Sequence, residues 1–584
     1  MTAARAFVSA AAILAIVVIV QACASSPPEP RPQLADLVRG YSREMTPYQP
    51  FTASEMGLRQ YDRVLANNIG EEYRTGLAGL CSRYLASVRR VETATLTEHE
   101  RVTRDIFEFN VETCVQRLRQ PWHLIPVDQV GRSLPSEFAV IGAGKGSHPF
   151  KTRQNYEDFL GRVDGFVIWM DTAIVNMRAG IASGITQPRD VMVKVVPQLD
   201  AQIVTDPRTS VFYEPIRNFP KDFDAPTRRA LTDKYVQAIQ QQIVPAYRRL
   251  RTFVQDEYLP RCRSTVGISA LPGGEAMYVF SVRTGTTTDL GPDEIFALGQ
   301  REVTRISREI ARLDAEIAAG GDAPLPRYAN VDQLLRAYGE FRRTVEDKLP
   351  SLFARFPKAA FEIRPIETFR ERSMPSSYVP ASPDGSRPGI FYLNAAAVRE
   401  GRPASVSRNL FLHEAVPGHH LQMALQRENT GLPSFRRFAW YNAFGEGWAL
   451  YAESLGVELG LYANRRDRVN MLSAELFRAK RLVVDVGLHA RGWTRERAIT
   501  YLGGPPDDAE REAERYMAWP GQALGYKIGQ LKILELRRKA EAALGASFDL
   551  KAFHDAVLEE GGMPLSVLEA KMDRWITAQR RKSG

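Results

Sequence analysis

The sequence predicts a mainly α protein of two helical lobes carrying one small β-sheet, and three observations support this. Apolar residues recur three and four apart along most of the 584-residue chain. β-type runs gather in one stretch, Phe361–Asn394. The length also exceeds the roughly 250–300 residues that one hydrophobic core usually organises.

Taken in order, the chain opens on a short cationic start, Met1–Arg5, followed by an unbroken apolar run from Ala10 to Val20. Even counted from Ala6 this run is about 15 residues, short of the roughly 20 that span a membrane, and it has the build of a secretory signal peptide. Val20-Gln21-Ala22-Cys23 places a small residue before cysteine, which resembles the lipobox of bacterial lipoproteins. Residues 1–22 then read as the signal peptide, Cys23 as the lipidated residue and 23–40 as a Pro-rich tether. The alternative is an uncleaved N-terminal anchor. Either way the body is exported, where disulfides persist. Cys81 and Cys114 lie in helix-like segments and could staple two antiparallel neighbours, and Cys262 is left over.

From Leu34 to Leu259 the pattern is helix after helix, clearest in Tyr73–Val91, Tyr156–Ile181 and Ala225–Tyr258. Prolines 188, 197, 207, 215 and 220 mark an irregular stretch. Ala276–Arg283 reads as a strand or extended segment, and Gly291-Pro-Asp-Glu opens a further helix. We place an N-terminal helical lobe at 41–264 and a catalytic lobe at 265–584. Within the β-like stretch, Gly389–Asn394 is either an edge strand that could pair with an extended peptide or an interior strand.

The net charge of +9 arises from basic residues interleaved with acidic ones, as in DDAEREAER, so nucleic acid is not an expected partner. The chemistry concentrates elsewhere. Of eight histidines, His413, His419 and His420 fall within eight residues, and Glu414 follows the first. A His-Glu pair with a later histidine on a helix, here Ser407–Gln426, is the arrangement by which zinc peptidases hold a metal and activate water. Four residues after His413 stands Pro417 rather than histidine. His420 lies on the face of His413 in a regular helix, whereas a turn widened at Pro417-Gly418 would bring His419 there. That distortion favours His419, with His420 as the alternative ligand.

A third ligand is expected from Phe444-Gly-Glu446-Gly-Trp448, with Glu453 on the same helical face as a supporting partner. His489, four residues after Asp485, and Tyr526 are candidates to stabilise an oxyanion. Tyr516, Gln522, Tyr392 and Asn394 are candidate substrate contacts.

The segments GISALPGGEAMY, GIFYLN, HEAVPGHHLQ, EGWALYAE, RLVVDVGLHARGW and RYMAWPGQALGYKIG together resemble the bacterial family known as domain of unknown function 885. The resemblance implies a two-lobed, mainly α fold similar to the gluzincin peptidases such as thimet oligopeptidase, with the sheet beside the metal helix and a channel suited to short peptides. Those enzymes carry H-E-x-G-H, so Gly418-His419 would correspond with two residues inserted.

The expected activity is therefore that of an exported, lipid-anchored peptidase facing the periplasm. His413, His419 and Glu446 would hold one zinc ion, Glu414 would act as general base, and His489 and Tyr526 would support the transition state. Hydrolysis of another amide, such as cell-wall peptides, and a catalytically silent binding lipoprotein are the alternatives. The sequence leaves the oligomeric state open.

Overall fold

A computed structural model describes residues 33–583 apart from 131–132, 147, 321, 369–370, 372–374, 383–384 and 386. The signal peptide, Cys23 and the first part of the tether lie outside the described residues. Helix already begins at Leu34, ahead of residue 41, in the amphipathic segment Leu34–Met45.

Among the described residues the protein is mainly helical, with one three-stranded sheet. The expected helices form: Glu71–Val88, Arg153–Ser183, and Ala225–Ala238 continuing through a wide π turn into Val244–Phe253. Pro292–Ala318 starts as its sequence requires, with the Gly291 amide donating to the Glu294 carboxylate at 2.8 Å.

Two expectations fail. Ala276–Arg283 lies within a helix, Gly274–Thr286, that buries Met277, Tyr278, Phe280, Ser281 and Val282. The helix is buried over most of its circumference and its exposed face carries apolar Ala276 and Val279, so the sequence shows no period and its β-branched and aromatic residues misled. The proline-marked stretch likewise contains a helix, Arg189–Asp200, which tolerates Pro197 in its interior.

One continuous core joins buried residues from Ile69 to Ile576 and includes Tyr258 and Leu259 as well as Ile268 and Met277. A smaller cluster packs Leu34–Met45 on Glu71–Val88 and on Glu98–Arg119. There Cys81 and Cys114 form a disulfide joining the latter two helices, with Cα atoms 6.2 Å apart.

The sheet comprises β1 (Phe361–Pro365), β2 (Ser377–Val379) and β3 (Gly389–Leu393) in the order β1-β3-β2. β3 pairs parallel with β1 and antiparallel with β2. Its residues are almost all buried, as an interior strand requires. The edge reading of Gly389–Asn394 is thereby corrected: β2, which pairs with β3 alone among the described strands, is an edge.

Candidate metal centre

The expected single helix Ser407–Gln426 is two helices, Arg408–Glu414 and His419–Glu428. Phe411 and Leu412, both fully buried, fix the first against the core. Pro417 has no amide hydrogen to continue the ladder, and the Val416–Pro417 peptide is cis. The chain restarts when the His420 amide donates to the Ala415 carbonyl at 3.0 Å. Gly418 makes the corner possible. A Cβ there would lie 1.9 Å from the His413 carbonyl oxygen and 2.4 Å from that of Leu412, both rigid backbone. The indole of Trp448 donates to the Pro417 carbonyl at 2.9 Å and holds the corner from the neighbouring helix, Asn442–Ser454.

The corner sets the His413 and His419 rings 4.8 Å apart at 85°. Glu446 enters from Asn442–Ser454, and its Oε2 stands 3.5 Å from Nε2 of each histidine. One donor atom from each of the three lies within 4.8 Å of the others. Two tetrahedral zinc ligands at about 2.0–2.1 Å from the ion are separated by about 3.4 Å, so this donor set fits such an ion. Behind it, Glu453 accepts from His413 Nδ1 at 2.9 Å and from the Asn409 amide at 3.0 Å. That bond leaves His413 Nε2 facing the triad, as in carboxylate–histidine–metal arrangements.

The electrostatics match an anionic cradle for a cation. Burial alone would raise the Glu446 carboxyl and lower the His413 imidazole, but their mutual contacts prevail. Glu446 is held well below the usual carboxylate range, and His413, bonded also to Glu453, is raised to about 9. Glu414 is buried beside them. Desolvation raises its pKa against the pull of His413 and His419, with the Glu446 charge adding to the rise. A carboxylate so raised suits a general base.

Tyr526 opens the helix Gly525–Leu544, which closes on Asn442–Ser454 through Gly447 and Gly529. A Cβ on Gly529 would meet the Ala443 carbonyl at 1.8 Å. Gly447 thus admits the backbone of this helix at Gly529 and Gln530. Tyr526 lies within reach of the Glu446 charge, and after burial that charge is the next cause raising its pKa, while Arg481, Arg515 and Arg478 oppose it. The Arg481 guanidinium packs over its ring at 4.4 Å.

Other expected residues are held elsewhere. His420 turns away from the triad, its Nδ1 paired with the Tyr378 hydroxyl at 2.8 Å, and burial lowers its pKa to about 4. His489 and Asp485 are not partners. His489 Nδ1 accepts from the Ile268 amide, and its Nε2 donates to the Tyr516 carbonyl. Asp485 instead accepts from the Tyr278 hydroxyl and the Gly521 amide. With both nitrogens used on backbone, His489 has none left for an oxyanion, and that expectation is corrected.

The Tyr516 hydroxyl is likewise committed to Glu512 and Arg481, and the Gln522 side chain to Asn442 and Arg515. Asn394 bonds the Glu371 carbonyl and caps Ala396, and Tyr392 lies on interior β3. For Tyr516, Gln522 and Asn394 these are framework roles, whereas Tyr392 is the one residue of β3 that is only half-buried. Sequence reasoning missed Asn409, although its position four residues before His413 on one helix signals it. It also missed Tyr378 and Trp440, whose ring lies 5.7 Å from that of His419; nothing local in the sequence marks either.

A family model described as "Bacterial protein of unknown function (DUF885)" matches residues 50–572. Two solved structures, each described as a bacterial "putative lipoprotein", share the fold. The one from Colwellia psychrerythraea is 27% identical with a TM-score of 0.84, covering 94% of this chain and 99% of its own. The one from Shewanella oneidensis is 16% identical with a TM-score of 0.70, covering 93% and 100%. Among curated proteins nothing matches. The chain belongs to the DUF885 family.

Proposed function

We propose that this DUF885 member is an exported, zinc-dependent peptidase acting on short peptides. The observation that carries the reading is the convergence of His413, His419 and Glu446 on one point, with Glu414 beside it and Glu453 behind. A zinc ion held there would supply Lewis acidity that polarises the scissile carbonyl and acidifies water. Glu414 takes the proton of the attacking water and passes it to the leaving amine, a role its buried, raised carboxyl suits. Tyr526 donates its hydroxyl to the oxyanion, a role its place beside Glu446 supports. Glu453 keeps His413 in the right tautomer. Water is limited by burial of His413, Glu414 and His419, while Glu446 keeps a partly open side.

The peptide substrate is supported by β2. Among the described strands β2 is an edge, where an extended peptide could add to the sheet. The likeness to two lipoprotein-type structures supports an envelope location, with Cys23 as the lipid anchor and the body facing the periplasm. Among the described residues no helix is long and apolar enough to cross a membrane.

The test is cleavage of a peptide library by the zinc-loaded protein, read by mass spectrometry, beside the Glu414→Gln variant. Cleavage by the wild type that the variant loses, with zinc retained, supports the reading. Zinc retained without cleavage by either protein refutes it and points to a binding lipoprotein.

A further inference from the structure

Away from the triad, a cavity of about 550 Å³ opens between the Tyr48–Thr52 segment, the end of Glu98–Arg119 and the helix Arg153–Ser183. None of His413, Glu414, His419 or Glu446 lines it. Its lining includes the half-buried rings of Phe51 and Trp122, with the buried Trp169 behind them. The Trp169 indole is fixed by donating to the Asn68 side chain at 2.8 Å.

The charges in this wall do not balance. Arg74, half-buried, and Arg117, exposed, line the cavity, and among the described residues neither guanidinium has a hydrogen bond or ion pair. This contrasts with neighbouring Arg83, Arg89 and Arg104, each paired with a glutamate. Glu137 is the one acid among the described lining residues, and it already has a partner. His123 adds a buried Nδ1 that meets no partner. Its pKa is lowered by burial and then by the nearby Arg74 charge.

Unpaired guanidinia beside flat aromatic walls select one ligand chemistry: a carboxylate for the forked donors and a planar body for the rings. We propose that this cavity is a binding site for a small aromatic carboxylate, with the anion facing Arg74 and Arg117 and the ring packed against Phe51 and Trp122. The same chemistry is offered by a free aromatic acid and by the C-terminal residue of a peptide. The site stands independently of the proposed peptidase activity.

The test is calorimetric titration of the full chain carrying Glu414→Gln and Glu446→Gln, which removes turnover and weakens metal as a rival carboxylate site. The probes are N-acetylphenylalanine, its neutral amide, and the tripeptide Gly-Gly-Phe. The acid is expected to bind at least about tenfold more tightly than the amide, the difference a charge-assisted pair makes. Adding Arg74→Gln with Arg117→Gln should erase that preference, and the paired lysine variant, which keeps the charge, should retain part of it. Binding of Gly-Gly-Phe with the same arginine dependence assigns the site to peptide ends, and its failure beside a binding acid assigns it to free acids. Equal affinity for acid and amide, no measurable binding of either, or a preference unchanged in the folded double glutamine variant would overturn the proposal.

Discussion

Glu453→Gln isolates the support behind the proposed metal ligands, because it keeps the side chain's shape and removes only charge and one acceptor. Glu453 is 1% exposed, so water cannot replace what is lost. Its two oxygens serve two donors, His413 Nδ1 at 2.9 Å and the Asn409 amide at 3.0 Å. A glutamine can satisfy only one. If its oxygen stays on His413, its amide faces the Asn409 amide donor to donor. If it flips, His413 loses the acceptor that fixes its tautomer. Leaving a buried donor unsatisfied costs about 1–3 kcal/mol, which matches the roughly 10–100-fold that such supporting residues contribute to metal affinity. Zinc affinity measured by competition with a chromophoric chelator should fall by that factor in a folded protein. An affinity within about twofold of wild type would refute the idea that Glu453 orients His413.

Three further perturbations follow from the same geometry. Gly418→Ala drives a methyl group into the His413 carbonyl; overpacking costs about 1–3 kcal/mol, so lower thermal stability and zinc retention should appear together in calorimetry and metal analysis. Metal-free protein should respond to pH through His413, whose pKa rises to about 9 when folded against roughly 6.5 unfolded. Its charged form stabilises the fold fully below about 6.5, and this is lost as pH passes through 9. Melting temperatures in chelator should decline across that window, whereas zinc-loaded protein, its imidazole already deprotonated, should not share the decline. Reducing the Cys81–Cys114 disulfide, which closes a 33-residue separation, should remove about 3–4 kcal/mol, read by denaturant unfolding, while zinc remains bound.

The parts of this protein written locally in the sequence were the ones that could be read from it. The long helices announce themselves by period, and Pro292 with Glu294 marks a helix start by itself. The meeting of His413, His419 and Glu446 could also be anticipated, because a proline and a glycine lie between the histidines and the distortion they impose is local. Partners distant in the chain were legible only where a motif marked them, as at Glu446, and elsewhere reading failed. Asp485 and His489 share a helical face, yet each finds its partners on other segments: Tyr278 and Gly521 for one, Ile268 and Tyr516 for the other. The interior position of β3 depends on a three-residue strand, Ser377–Val379, too short to show alternation. Gly274–Thr286 is covered on too many sides to show a helical stripe.

The most direct measurement is elemental analysis of metal in the purified protein, compared with single alanine variants of His419 and His420. About one zinc per chain is expected in the wild type and in His420→Ala, and its loss in His419→Ala. A wild-type protein that takes up no metal when offered it, or one that loses it with His420 rather than His419, would contradict the centre described above.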